Sequence, residues 1–74
     1  MPIKSYILIP NQNELTLLIE EVSVLEGCNV HPAENREVLV LVTETENEEK
    51  DKALLGQIEK SKHLQHISLV SGFD

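Results

Sequence analysis

Five consecutive branched aliphatic residues, the run VLVLV at positions 38–42, constrain the fold of this 74-residue chain more than any other feature. Because a strand directs alternate side chains to opposite faces, a strand built from this run is apolar on both of its faces. The run is much shorter than the roughly 20 apolar residues that a membrane-spanning helix needs. We therefore predict a central strand of a sheet, in a chain whose helices cover only one face of that sheet.

The acidic balance of the chain limits the partners that it attracts. Its 13 acidic residues outnumber 6 basic ones, which gives a net charge of −7. A phosphate backbone is repelled by such a chain, and the sequence has no basic stripe, so we predict no nucleic-acid partner. A cationic partner is attracted. The alternative interpretation is that the charge only keeps a small domain soluble.

Cysteine usage and the N-terminal sequence predict where the protein acts. Cys28 is the single cysteine, so the chain forms no intramolecular disulfide, which fits a reducing cytosol. The N-terminal sequence MPIKSYILIP lacks the long apolar segment of a signal peptide. We expect a cytoplasmic protein of one domain, residues 1–74, without membrane insertion.

The first third of the chain is predicted to form a strand and an amphipathic helix. Residues 3–9 have the composition of a strand, which Pro10 ends. Asn11 and Glu14 have the spacing of a helix N-cap and capping box. Aliphatic residues then recur at helical spacing until Gly27, a natural end for the helix.

Two strands joined by a tight connection follow this helix. Residues 28–33 form a short second strand, and its Pro32 cannot donate to a ladder, so this strand belongs at a sheet edge. Only the turn at residues 34–36 separates it from the third strand, the VLVLV run. Strands joined by so few residues form an antiparallel hairpin.

The last third is predicted to form a second helix and a fourth strand. Thr45 and Glu48 have capping-box spacing, and acidic residues in the first turn complement the helix dipole. The buried stripe of the helix is then Leu54, Leu55, Ile58 and Ser61. Residues 64–70 alternate as a final strand, with a short tail after them.

The element order β-α-β-β-α-β favours one architecture. The ferredoxin-like sandwich is the standard solution: an α+β fold with antiparallel strand order 4-1-3-2 and both helices on one face. This order places the two most apolar strands, the first and the third, in the middle of the sheet. It also places the proline-containing second strand at an edge, so independent features of the sequence agree.

Alternation along the strands assigns side chains to the two faces of the sheet. The helix-covered core is predicted to contain Tyr6, Leu8, Val38, Val40, Val42, Ile67 and Leu69, with Cys28 and Val30. The uncovered face is predicted to contain Ser5, Ile7, Ile9, Leu39, Leu41, Thr43, His66, Ser68 and Val70, with Asn29 and His31 beside it.

The uncovered face has four aliphatic residues at its centre, which is unusual for a surface open to water. Burying four such side chains is worth at most about 6–12 kcal/mol, at about 1.5–3 kcal/mol each, which is comparable to the stability of a domain. We infer that this face binds something. The alternatives are a back-to-back homodimer through this face or a slightly apolar surface without function.

The sequence has little support for catalysis. Its three glycines are scattered and form no phosphate-binding loop. Cys28 and His31 are three residues apart on a strand, as are His63 and His66, so the members of each pair point to opposite faces and match no zinc pattern. Cys28 itself is expected to be a small buried apolar residue. We therefore predict no catalytic residue, no metal, no cofactor and no enzymatic activity.

Within this frame, four short motifs resemble the NapD family, which consists of small cytoplasmic chaperones of the periplasmic nitrate reductase. The motifs are SYILI from Ser5, Gly27-Cys28-x-Val30, the VLVLV strand, and the final strand HLQHISLV with Leu64, Ile67, Ser68, Leu69 and Val70 at the matching positions. The resemblance extends over nearly the whole chain.

The resemblance implies a function. Members of the family bind the twin-arginine signal peptide of the nitrate reductase catalytic subunit and hold back its export until the molybdenum cofactor is inserted. The implied partner is thus the signal peptide of a molybdenum-dependent reductase subunit, bound at the uncovered face. The residues themselves suit such a peptide: Ile7, Ile9, Leu39 and Leu41 can receive its apolar part, and acids such as Glu37 or Glu44 can pair with its arginines.

Two alternatives share the same element order. One is an ACT-like regulatory module that binds a small metabolite as a homodimer. The other is a metal-carrying ferredoxin-like domain, although this chain lacks the CxxC that such domains use.

Overall fold

The predicted element order is present in the structure, a computed structural model that describes residues 2–73. The elements are β1 (Ile3–Pro10), α1 (Leu15–Ser23), β2 (Cys28–Pro32), β3 (Leu39–Glu44), α2 (Glu48–Glu59) and β4 (Leu64–Phe73). The four strands form one antiparallel sheet in the order β2-β3-β1-β4. The predicted ferredoxin-like architecture is confirmed, although β4 continues through residues that the sequence assigned to a tail.

The turn between β1 and α1 differs from the predicted capping box. Asn11 does not cap the helix, which begins at Leu15 and has Glu14 as its N-cap residue. Instead, the Asn11 carbonyl accepts a hydrogen bond from the Glu14 amide at 3.0 Å. Its side-chain amide donates to the carbonyl oxygen of Lys62 at 2.7 Å. Asn11 therefore ties this turn to the connection between α2 and β4.

Gly27 lies beyond the end of α1, at the turn into β2. The helix ends at Ser23, earlier than predicted, and Gly27 has a positive φ of 87°. A Cβ atom at this position would lie 2.8 Å from the carbonyl oxygen of Glu44. The Glu44 amide also donates to the Gly27 carbonyl at 2.8 Å. Both the backbone conformation and the close approach to the end of β3 thus require glycine.

The second helix is capped by a residue that the sequence pattern did not select. The side chain of Asn47, rather than that of Thr45, accepts a hydrogen bond from the Lys50 amide at 2.8 Å. The first turn contains Glu48, Glu49 and Asp51, whose negative charge complements the helix dipole as expected.

The hydrophobic core confirms the predicted side of β1 and corrects that of β3. Its buried apolar residues are Tyr6, Leu8, Leu18, Val22, Leu39, Leu41 and Ile58. Tyr6 pairs with Leu41 and Leu8 pairs with Leu39 across the β1–β3 ladder. Directly paired residues of antiparallel strands share a face, so Leu39 and Leu41, both 0% exposed, lie under the helices. Their predicted positions on the uncovered face are wrong, as is the core assignment of Val38, Val40 and Val42, which are half-buried.

Thr43 was also assigned to the uncovered face, and it is 2% exposed in the core. The reason is Asp51 of α2, which is equally buried and accepts a hydrogen bond from the Thr43 hydroxyl at 3.1 Å. The other carboxylate oxygen of Asp51 accepts from the Tyr6 hydroxyl at 3.3 Å and lies 3.1 Å from the Lys4 ammonium. A polar group in a core needs such partners, and Thr43 has one.

The polar cluster of Lys4, Tyr6, Thr43 and Asp51 joins β1, β3 and α2, and it changes the pKa values of Lys4 and Tyr6. The Lys4 ammonium also contacts Glu48 at 2.7 Å. Its hydrogen bonds to Glu48 and then to Asp51 raise the pKa of Lys4 above its usual value. Burial, followed by the negative charge of Asp51, raises the pKa of Tyr6. Lys4 therefore stays charged and Tyr6 stays a neutral donor at neutral pH.

The two edge strands follow the predicted pattern in part. Cys28 and Val30 of β2 pack against the core as expected, and so does Ile67 of β4. Leu69, however, is 60% exposed, so its core assignment is wrong. It lies next to one of two register shifts at which the pairing of β4 with β1 is irregular.

Candidate functional site

The candidate site is the face of the sheet opposite the helices, which we call the open face. Its centre consists of the aliphatic residues Ile7, Ile9, Val40 and Val42 on the two middle strands. These residues are half-buried, but they are neither part of the core cluster nor packed against it. Their partial shielding comes from neighbouring strands, as in the direct pair of Ile7 with Val40. The core cluster therefore leaves these four side chains free to contact a ligand.

Cross-strand pairing arranges the open face in rows with an aliphatic centre and polar ends. One row runs across all four strands as His31, Val40, Ile7 and Ser68. The next row runs as Asn29, Val42, Ser5 and Ser71. At the other end of β1, Ile9 pairs with His66. The hydroxyl of Ser68 and Nε2 of His66 are 2.9 Å apart, which fits their position on the same face.

The sequence-predicted site residues are therefore only partly brought together. Five of the nine share the open face: Ser5, Ile7, Ile9, His66 and Ser68. Leu39, Leu41 and Thr43 lie in the core, and Val40 and Val42 occupy the places that the prediction gave to the two leucines. Val70 is 61% exposed at the sheet edge, where it has no counterpart in the β1–β4 register.

A signal for the correct side of β3 was present in the sequence. Glu44 continues the strand and is exposed, so alternation places Val42 and Val40 on its side of the sheet. The burial of Thr43 follows from the same alternation. Asp51 also shares the helical spacing of Leu54, Leu55 and Ile58, which places it on the same side of α2 as the buried stripe.

Three acidic residues, Glu26, Glu44 and Glu46, lie together at one end of the sheet. Glu44 shares the parity of Val42 and lies at the end of β3. It borders a shallow depression of about 270 Å³ that is lined by Glu26, Gly27, Glu44, Thr45, Glu46, Lys50 and Leu54. Lys50 forms an ion pair with Glu46 at 3.0 Å and compensates one of these three acids. The other acid suggested by the sequence, Glu37, is exposed in the β2–β3 connection rather than on a strand.

Cys28 faces the core rather than the open face. It is half-buried opposite Thr43. Burial raises the pKa of the Cys28 thiol, and the negative charge of Asp51 raises it further. The thiol is therefore protonated at neutral pH and is a poor nucleophile.

Residues 2–73 contain no group of three or more histidine, cysteine, aspartate or glutamate side chains arranged to hold a metal ion. No helix among these residues combines the length and apolar character needed to span a membrane.

Comparison with known proteins identifies structural rather than sequence similarity. No protein-family model and no curated protein matches the chain. The solution structure of NapD, a Tat proofreading chaperone of E. coli, superposes with a TM-score of 0.85 at 17% identity, over 93% of this chain and 74% of NapD. A hypothetical protein from Pyrococcus horikoshii superposes with a TM-score of 0.81 at 14% identity, over 95% of this chain and 87% of that protein.

A third structure is more distant. A NIPSNAP domain protein from Burkholderia xenovorans superposes with a TM-score of 0.54 at 9% identity, over 100% of this chain and 93% of that protein. At these identities the comparisons establish a common fold. The chain therefore has a NapD-like fold in which no helix formed by residues 2–73 covers one face of the four-stranded sheet.

Proposed function

We propose that this protein is a non-enzymatic chaperone that binds the twin-arginine signal peptide of a periplasmic nitrate reductase catalytic subunit. In this role it delays export of the subunit until the molybdenum cofactor has been inserted, and it acts in the cytoplasm. The observation that carries the proposal is the open face, in a fold shared with NapD. This face has aliphatic residues on its two middle strands and polar residues on its two edge strands.

The aliphatic centre of the open face suits the apolar part of such a peptide. Ile7, Ile9, Val40 and Val42 form a continuous patch across β1 and β3. Because these side chains are already half-buried, a docked peptide removes only their remaining exposed area, worth about 25 cal/mol per Å². Burial of the peptide's own apolar side chains in the same contact adds further favourable free energy. An amphipathic helix laid across the strands can bury one apolar face in this way.

The charge of the protein suits the arginines of the peptide. The chain has a net charge of −7, which attracts a cationic peptide over a distance. Glu44 lies next to the aliphatic centre, and Glu26 and Glu46 line the depression beside it. Arginine pairs well with carboxylates because its planar guanidinium donates two parallel hydrogen bonds. We expect this end of the sheet to receive the two arginines.

The proposal is tested by titrating the isotope-labelled protein with a twin-arginine signal peptide and following the amide resonances by NMR. We expect shifts concentrated in β1 and β3, at residues on and beside the open face. Shifts confined to α1 and α2, or no shifts at millimolar peptide, would refute the proposal.

A pair of charge-matched variants tests the location of the site. Val40→Asp places a carboxylate at the centre of the open face and should weaken peptide binding at least tenfold. Thr16→Asp adds the same charge at an exposed position of α1, on the helix side of the sheet, and should leave the affinity within twofold. Calorimetry measures both affinities, and equal weakening by the two variants would show that the peptide binds elsewhere.

A further inference from the structure

The two edges of the sheet differ in their capacity to pair with another strand. The edge strand β2 has five residues and ends in Pro32, which has no amide hydrogen to donate. The opposite edge strand, β4, has ten residues. Its sequence, LQHISLVSGF, contains no proline and no aspartate, glutamate, lysine or arginine. Soluble proteins normally protect an edge of this length with charges or proline.

Exposed apolar side chains lie on the same unprotected edge. Leu69 is 60% exposed and its neighbour Val70 is 61% exposed. The register of β4 with β1 skips Gln65 and Val70, so residues 66–69 form an uninterrupted segment between two irregular positions. Irregular positions of this kind limit how far an edge can pair. The segment between them is regular, contains no aspartate, glutamate, lysine or arginine, and ends at the exposed Leu69.

We infer that the outer edge of β4 is a dimerisation surface, at which β4 of one copy pairs antiparallel with β4 of a second copy. Two copies that each carry a net charge of −7 repel one another. Neither β2 nor β4 contains aspartate or glutamate to add to this repulsion, and β4 is the longer of the two edge strands and has no proline. Antiparallel self-pairing is also self-complementary, because each copy presents the same segment to the other.

The geometry of the fold favours two copies over a longer assembly. Paired residues of antiparallel strands share a face, so the open faces of the two copies join into one surface on a sheet of eight strands, four from each copy. The remaining edge of each copy is β2, where Pro32 interrupts further pairing. The open face stays uncovered, so the inference does not depend on the proposed function.

Sedimentation velocity over a range of protein concentrations tests the inference. We expect a concentration-dependent dimer that strengthens as salt is added, because salt screens the repulsion between two acidic copies. Leu69→Lys places a charge on the pairing edge and should abolish the dimer, and Val70→Lys should do the same. Val24→Lys is the matched control: Val24 is 79% exposed at the end of α1, away from the sheet edge, so the dimer should persist.

Three outcomes would overturn the inference. The first is a monomer at all concentrations and salt conditions, and the second is a dimer that survives both Leu69→Lys and Val70→Lys. The third is a dimer that Val40→Asp dissociates while Leu69→Lys does not, because that result places the interface on the open face. Circular dichroism of each variant ensures that the comparison is made between folded proteins.

Discussion

Two neighbouring residues of β3 test the assignment of its faces most directly. Leu41 is 0% exposed and lies between Val30 of β2 and Tyr6 of β1, whereas Val40 is half-buried on the open face. We predict that Leu41→Ala destabilises the protein by about 2–5 kcal/mol, the usual range for leucine-to-alanine changes in a closed core. Val40→Ala removes two carbon atoms from a site that solvent reaches, so it should cost about 1 kcal/mol.

These magnitudes are large relative to the stability of a small domain. At roughly 0.05–0.15 kcal/mol per residue, a chain of 74 residues has an unfolding free energy of about 4–11 kcal/mol. Leu41→Ala thus removes from about a fifth to all of that stability, whereas Val40→Ala leaves the protein folded. The expected difference between the two variants is about 1–4 kcal/mol, which a shift of the urea midpoint reports at an unchanged slope.

Urea denaturation followed by far-ultraviolet circular dichroism measures both free energies by linear extrapolation. The slope against urea concentration should be unchanged in both variants if the loss arises in the folded state. A result in which Val40→Ala costs as much as Leu41→Ala, or more, would refute the reasoning. It would mean that the valines of β3 face the core and that the open face contains the leucines.

Three further predictions concern the polar cluster and the element ends. Hydrogen bonds to Glu48 and Asp51 raise the pKa of Lys4, and burial raises the pKa of Tyr6. The folded state therefore holds the protons of Lys4 and Tyr6 more tightly than the unfolded state does. Stability from each group is present below its unfolded pKa and is lost as pH rises through the folded pKa, so the unfolding free energy should fall above about pH 10. Asp51→Asn should flatten this fall and lower the pKa of Tyr6 in an ultraviolet titration; an unchanged alkaline profile would contradict it. Gly27→Ala should cost more than about 1 kcal/mol in urea denaturation, because it combines a positive φ with a backbone clash. Asn47→Ala should cost about 1 kcal/mol by the same assay through loss of the α2 cap, and a neutral result would show that the cap contributes nothing.

Most of the architecture could be predicted because local chemistry specifies it. Helical spacing of aliphatic residues predicts α1, and Pro32 predicts that β2 lies at an edge, since its nitrogen cannot enter a ladder. The antiparallel β2–β3 hairpin is also confirmed, but its connection spans residues 33–38 rather than the predicted 34–36, with Asn35 at a positive φ of 60°. Helix boundaries were less accurate, because several polar residues near each start can act as caps and only the final geometry selects one, such as Asn47.

The candidate site was predicted where alternation was clear and missed where it was absent. Ile7 and Ile9 alternate with the buried Tyr6 and Leu8, and their side of the sheet is correct. Along β3, by contrast, the five aliphatic residues in a row fit either face, and only the parity of Glu44 after them favours one. Thr43 then misled the assignment, because a lone hydroxyl suggests solvent unless its buried partner is known.

The sequence by itself determined the element order, the central position of the VLVLV run and the presence of an aliphatic sheet face without helices. Each of these follows from local spacing, proline chemistry or a lack of apolar helices to cover a second face. For the side of β3 that forms that face, the sequence offers only the parity of Glu44, and the tertiary structure decides it. The pairing of Leu39 and Leu41 with β1, and the hydrogen bond from Thr43 to Asp51 of α2, join residues far apart in the chain, and they turn Val40 and Val42 to the open face.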